Sequence, residues 1–203
     1  MPRIIEICAV FCAAIVLLIP MAITAVLVGF SLGRPILFSQ VRAGKTRKTF
    51  RIHKFRSMTE ECDADGNLLP DADRQNGLTA ILRRTRLDEL PQLFAILRGD
   101  MALVGPRPLL PETIRDFGEL GERRCAVRPG LTGWAQVSGN TNLTHEEKLK
   151  LDLWYAEHKS FALDMKILAE TVGVVLFGER RNDRRLAESE TWLAQSGIGG
   201  ATI

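Results

Sequence analysis

This chain of 203 residues lacks the signatures of several common chemistries. No G-x-x-x-x-G-K-[ST] phosphate loop, G-x-G-x-x-G after a strand or H-E-x-x-H pair occurs, which excludes the usual routes to nucleotide and zincin chemistry. Its three histidines, His53, His145 and His158, are too scattered for a metal set, so histidine general-base chemistry is disfavoured and carboxylate nucleophilic catalysis is left. The four cysteines contain no C-x-x-C pair, and Cys8 and Cys12 sit one helical turn apart in an apolar run, where they read as small hydrophobes. Neither a disulfide framework nor a zinc site is legible, in keeping with a reducing cytoplasmic face. A net charge of +3, with no basic helix carrying interleaved aromatics, argues against a nucleic-acid partner.

Charge is also missing from one long stretch. Residues 7–30 contain none, and a run of about 24 residues exceeds the roughly 20 needed to cross a bilayer as a helix. A cleaved signal peptide fits poorly, because the apolar run is too long and no A-x-A site follows. Pro20 lies near the middle, removes a backbone donor and clashes with the carbonyl of Val16, so a kink is expected. Arg3 precedes the run, while Arg34, Arg42, Lys45, Arg47 and Lys48 follow it. Basic residues prefer the cytoplasmic side, so a helix that dips in and returns satisfies both ends. A straight span with the amino terminus outside is the alternative. The juxtamembrane cations suit an anionic phospholipid bilayer, at about 1 kcal/mol each.

Beyond this element, residues 35–42 and Thr49–Phe55 read as two short strands joined by a basic turn, with Phe50, Ile52 and His53 set against Arg51, Lys54 and Arg56. Residues 59–76 are acidic and rich in turn formers, so they make a surface loop, and their spacing does not fit a calcium loop. Short helices are expected at 78–84 and 88–97, the second capped by Asp88 and stopped at Gly99, with a strand at 101–104 and a helix at 112–120. Residues 128–139, RPGLTGWAQVSG, form a shaped loop. Thr144 and Glu147 make a capping box for the next helix. Phe161–Phe177 is too apolar all round for an ordinary surface helix and reads as buried or interfacial.

The expected fold is therefore α+β, mostly helical: a re-entrant membrane helix (1–33), a compact cytoplasmic domain with short strands and interfacial amphipathic helices (34–180), and a loosely held polar tail (181–203). Residues 85–109, TRLDELPQLFAILRGDMALVGPRPL, carry the chemistry. Asp88 at a helix start feels unpaired N–H groups, which keeps it ionised as a nucleophile towards phosphorus or as a metal ligand. Glu89 follows directly, and the two carboxylates can converge on one Mg²⁺, which completes its shell with water and phosphate oxygens. On the pair alone, a cap and a dipole partner is the more economical reading. Arg107 shifts the balance. Clamped between Pro106 and Pro108, its guanidinium has a stiff base suited to bidentate phosphate recognition, with a structural salt bridge or a simple turn as the equally economical alternative. Lys54, Arg56 and Arg83 are further cations for the same site.

These segments, in this order, resemble the monotopic phosphoglycosyl transferases, the bacterial sugar transferases. The resemblance covers nearly the whole chain: the apolar helix broken around Pro20, the basic run 42–48, IHKFRSM at 52–58, residues 82–110 and RPGLTGWAQVSG. The short length resembles the minimal catalytic form. The resemblance implies transfer of a sugar-1-phosphate from a UDP-sugar to a polyprenol phosphate, undecaprenyl phosphate being the expected carrier, with release of UMP. Asp88 matches the nucleophile that forms a covalent phosphosugar–aspartate, Glu89 its partner in positioning Mg²⁺, and Lys54, Arg83 and Arg107 the basic positions around the diphosphate. It further implies a bacterial inner-membrane location with the catalytic domain on the cytoplasmic face, and downstream glycosyltransferases as partners. The chain departs from the pattern at Ile19, where relatives often carry serine before the proline, and in the loop 60–76, which leaves the sugar open. The same reaction with a glucose or galactose donor, or a silent membrane scaffold, are the alternatives.

Overall fold

The structure is a computed structural model describing residues 1–70 and 73–197. It is mostly helical, with four short strands. Two helices open the chain, α1 (Arg3–Val16) and α2 (Leu18–Leu32). No single helix among the described residues is long and apolar enough to cross a membrane, but this pair passes by length and composition together, bent by 55°. The bend falls at Leu17, three residues before Pro20. The missing proline N–H frees the carbonyl one turn earlier, at Val16, so the axis changes direction upstream of the proline itself. Around the bend Ile15, Val16, Leu18 and Ile19 are 53–73% exposed, forming an apolar tip.

Both outer ends of the pair are tied to the following domain. From α1, Arg3 donates to the carbonyls of Ile96 and Met101, and Glu6 accepts from the Leu103 amide at 2.6 Å. At the end of α2, Asn76 donates to the Ser31 hydroxyl at 2.8 Å and Arg56 to the Leu32 carbonyl.

Strands β1 (Leu37–Ala43) and β2 (Thr49–Phe55) pair antiparallel, Gln40 opposite Ile52. Alternation puts Phe50, Ile52 and Lys54 on one face. Ile52 packs there with Leu93, Ile96 and Val10 of α1. Lys54 thus shares the inward face with Ile52, against the sequence expectation, because its ammonium has carboxylates to meet there. Phe55 packs on the other side with Val28 and Leu82. Helix α3 (Gly77–Arg84) is closed by a capping box between Asn76 and Thr79.

The expected helix 88–97 is two pieces: a 3₁₀ segment, Leu87–Gln92, and α4 (Leu93–Arg98), which ends at Gly99 with φ 94°. Pro91 removes the donor that α geometry would use here and disfavours α in its predecessor, so the first turn tightens. Strand β3 (Ala102–Val104) pairs parallel with β4 (Gly130–Thr132), which lies inside the expected loop 128–139. Between them run α5 (Pro111–Asp116) and α6 (Gly118–Arg124), a break that Gly118 permits with φ 53°. Helix α7 (Trp134–Val137) follows β4. Helix α8 (His145–His158) starts with the Thr144–Glu147 capping box.

Helix α9 (Phe161–Phe177) buries Ile167 against Tyr155, Leu151 and Trp134 but leaves Val172, Leu176 and Phe177 at 59–75% exposure. Within 181–203, expected as a loose tail, Asp183–Gln195 instead form α10. Leu193 seats that helix with Leu149 and Leu153 of α8, and Leu186 joins the core around Tyr155. The expected tail beyond 197 lies outside the described residues.

Candidate active site

The 3₁₀ segment brings Asp88 and Glu89 into the interior, 5% and 7% exposed. Asp88 is not the helix cap that the sequence suggested. The position before the turn is Arg86, in the left-handed conformation (φ 59°, ψ 17°), and no side chain caps it. A non-glycine residue held there costs roughly 1–3 kcal/mol, which marks a place where geometry is imposed by its surroundings. Asp88 Oδ1 is buried with no hydrogen-bond partner among the described residues. Burial, reinforced by the Glu89 charge, lifts the Asp88 carboxyl from its ordinary 3.8 to about 6, although Lys54, Arg83 and Arg86 pull the other way.

Glu89 behaves oppositely. Burial alone would raise it, but the Arg107 charge and hydrogen bond, with Arg86 and Lys54, outweigh burial and hold it below its usual range. Arg107 Nη2 reaches Glu89 Oε1 at 2.6 Å, and the Glu89 charge in turn holds Arg107 protonated. Lys54 is pushed down by burial, against the attraction of Asp88 and Glu89. The two adjacent carboxylates therefore differ: Glu89 is paired with Arg107 and held below the usual carboxylate range, while Asp88 is raised and has one oxygen without a hydrogen-bond partner among the described residues.

Glycines explain how Arg107 is placed. A Cβ on Gly105 would stand 2.3 Å from the Arg128 carbonyl oxygen, one on Gly130 2.1 Å from the Gly105 nitrogen, and one on Gly133 2.1 Å from the Gly105 oxygen. Only bare backbone permits this approach. It lets Gly130 donate to the Pro106 carbonyl at 2.9 Å and Gly105 to the Thr132 carbonyl at 2.8 Å, so the Pro-Arg-Pro turn is anchored on the RPGLTG segment. From behind, Arg124 donates to the Arg107 carbonyl at 2.5 Å and to Asp152 at 2.8–2.9 Å, in a pair that is almost wholly buried.

Two cavities meet at this point. A polar one of about 450 Å³ carries Arg83, Arg84, Arg86, Arg107, Arg124 and Lys148 against only Asp152 and Glu179. An apolar one of about 240 Å³ shares Arg86, Arg107 and Gln136 with it and includes Glu89. The sequence candidates Lys54, Arg83 and Arg107 all come within electrostatic reach of Asp88 or Glu89. Arg56 goes elsewhere, to the carbonyls of Leu32 and Pro35.

Sequence reasoning missed Arg86, Glu179 and Gln136. Arg86 bridges Glu179 at 2.6 Å and Glu89 at 3.9 Å, while Glu179 also binds Asn140 and Thr141. The residues of this network lie far apart in sequence, and a left-handed arginine leaves no compositional signal. Gln136 is 7% exposed with both amide atoms unpartnered among the described residues.

For a metal ion, Asp88 Oδ1 is unpartnered and Arg107 occupies only Oε1 of Glu89. Among the described residues no group of three His, Cys, Asp or Glu side chains is placed to hold a metal. Two carboxylates fit Mg²⁺, which takes one or two and relies on water and substrate phosphate for the rest.

The chain matches a family model described as bacterial sugar transferase over residues 1–178. It is similar to the uncharacterized sugar transferase EpsL of Bacillus subtilis (strain 168), 45% identical over 168 residues, covering 83% of this chain and 81% of that protein. It is 38% identical over 160 residues to the galactosyl transferase CpsE of Streptococcus agalactiae serotype III (strain NEM316), covering 72% of this chain and 36% of that protein. It is 37% identical over 166 residues to the UDP-N-acetylgalactosamine-undecaprenyl-phosphate N-acetylgalactosaminephosphotransferase of Aeromonas hydrophila, covering 78% and 39% respectively. The chain thus spans most of the first relative but little more than a third of the other two.

Proposed function

Because this chain belongs to the bacterial sugar transferase family, we propose that it transfers a sugar-1-phosphate from a UDP-sugar to a polyprenol phosphate, with Asp88 as the nucleophile. The observation that carries this reading is the buried, unpartnered Asp88 oxygen in the field of Arg83 and Arg86, two of the six cations that face two carboxylates across the polar cavity. A nucleoside diphosphate brings two phosphate charges. A cavity of that sign and size receives it, with Arg107 presenting a planar donor pair to its oxygens.

In the first half of the reaction, Asp88 Oδ1 attacks the β-phosphorus of the donor. The bond to the α-phosphate oxygen breaks, and UMP leaves with the electron pair. Arg83, Arg86, Arg107 and Lys54 stabilise charge that moves onto the departing oxygen. In the second half, a phosphate oxygen of the acceptor attacks the same phosphorus, giving polyprenol-diphosphosugar and restoring the carboxylate. Mg²⁺, held by Glu89 and by the Asp88 oxygen that does not attack, would supply further neutralisation of the diphosphate. Splitting the displacement lets a water-soluble donor and a lipid acceptor use one nucleophile in turn. The names of two relatives specify different sugars, galactosyl and N-acetylgalactosamine, so the donor is proposed only as a UDP-sugar.

The location proposed is the inner membrane of a bacterium, with α1 and α2 as a re-entrant anchor and the catalytic domain on the cytoplasmic face. The anchoring of Arg3, Glu6, Ser31 and Leu32 on the same domain supports this, since a straight span would carry one end away from it. The apolar tip at Ile15–Ile19 and the exposed end of α9 are the apolar surfaces that would meet lipid.

Two experiments test the proposal. Rapid quenching with a UDP-sugar panel and no acceptor should release about one UMP per enzyme molecule and leave a phosphosugar on the peptide containing Asp88; brisk turnover without any adduct refutes the covalent route. For the anchor, a membrane-impermeant thiol reagent should label Pro2→Cys only after permeabilisation, and labelling from the periplasmic side refutes the hairpin.

A further inference from the structure

The proposed reaction needs a lipid acceptor to reach an interior carboxylate, and the cation-rich cavity offers an isoprenoid chain only Leu109, Ala135 and Leu149 among its charged and polar lining. The second cavity offers more. Leu90, Leu103, Leu131, Val137, Leu168 and Val174 make its wall, and Arg86, Glu89 and Arg107 are its charged lining. At about 240 Å³ it is smaller than the roughly 300–1,000 Å³ of sites that engulf drug-sized ligands, so it holds a short length of chain and leaves the remainder outside.

Its surroundings say where that remainder goes. Val175 lines the cavity and is itself 39% exposed, and the next residues, Leu176 and Phe177, are 64% and 75% exposed. The apolar interior is thus continuous along α9 with an apolar outer face. The guanidinium groups in the wall, Arg86 and Arg107, are paired with Glu89 and, for Arg86, with Glu179, yet their side chains are 34% and 41% exposed and keep donors open to an anionic headgroup. Gln136, buried with both amide atoms unpartnered, belongs to the walls of both cavities and offers a donor to a phosphate arriving from either.

We propose that this cavity, between the Leu87–Gln92 segment, β4 and α9, receives the phosphate-proximal isoprene units of the acceptor lipid, with the acceptor phosphate on Arg86 and Arg107. The nucleotide sugar and the lipid then approach the dyad through different cavities that share these two arginines. This inference rests on the transfer proposed above.

Two cavity-filling variants test it, Val174→Phe inside and Val175→Trp at the exposed rim, the second chosen because an exposed position tolerates bulk. Native mass spectrometry of the detergent-solubilised protein with undecaprenyl phosphate should show one lipid retained by the parent and at least tenfold weaker retention by both variants. Phosphatidylglycerol should neither be retained equally well nor compete at equal concentration. In kinetics, both variants should still release UMP in a single turnover without acceptor, while KM for undecaprenyl phosphate rises at least tenfold. Parent-like lipid retention in both variants, or displacement by phosphatidylglycerol, overturns the assignment. Loss of single-turnover UMP release in both would give the cavity to the donor and overturn it as well. A parent that releases no UMP from any UDP-sugar refutes the transfer reaction instead, and the lipid-retention measurement then decides the cavity alone.

Discussion

Replacing Asp88 by asparagine should abolish turnover and make the protein more stable. The isosteric amide fills the same space without charge, so the difference isolates the cost of burying an anion. The folded carboxyl titrates at about 6 against an ordinary 3.8, a gap worth about 3 kcal/mol at neutral pH. The attraction of Lys54, Arg83 and Arg86 is already contained in that figure, because it opposes the shift. The sign follows from linkage. Between pH 4 and 6 the folded state holds a proton that the unfolded state has released, so parental stability falls as pH rises through this window and levels off above it. The variant lacks this dependence. Thermal unfolding in matched detergent should show equal melting near pH 4 and a gain for Asp88→Asn of about 6–12 °C at pH 7, taking about 2–4 °C per kcal/mol for a chain of this size. UMP release should fall by about 10³-fold or more, the scale of losing a nucleophile. A variant no more stable at pH 7 than the parent would show that the carboxylate carries no burial penalty. Retained turnover would remove Asp88 from the chemistry.

Three further outcomes follow from the same geometry. Single-turnover UMP release should increase with pH through about 6 as Asp88 loses its proton, measured without acceptor because a phosphate monoester itself ionises near 6; a flat profile from pH 5 to 8 contradicts a poised Asp88. Arg107→Lys keeps the charge but loses the planar fork and the 2.6 Å contact to Glu89, so kcat/KM should fall by about 10²-fold with little loss of melting temperature, and parental kinetics would contradict bidentate binding. Arg124→Ala leaves Asp152 buried and unpaired and releases the Arg107 carbonyl, which should cost about 3–5 kcal/mol in denaturant unfolding; a loss under 1 kcal/mol would mean that the pair does not brace the turn.

The local features of this fold were legible because short-range rules decide them. The uncharged run, the strand at Thr49–Phe55, the Thr144–Glu147 capping box and the stop at Gly99 depend on neighbours within one or two turns. Where sequence pattern and structure differ, a distant partner overrides the local pattern. Lys54 was set on the solvent face by alternation with His53, yet it turns inward to the carboxylates. Residues 183–195 looked like a polar tail because their few apolar side chains, Leu186 and Leu193 among them, reveal their purpose only against α8 and the Tyr155 core.

By itself the sequence determined which groups are present and how stiffly they are mounted: two adjacent carboxylates, an arginine between prolines, and an apolar element broken near Pro20. Only the tertiary structure decided that Asp88 and Glu89 differ in kind. Their charges depend on what surrounds each oxygen: Arg107 hydrogen-bonds one oxygen of Glu89, whereas Asp88 Oδ1 is buried without a hydrogen-bond partner among the described residues. Electrostatic energy in a low-dielectric interior is set by distance and solvent exclusion, and neither quantity is written in the order of residues along a chain.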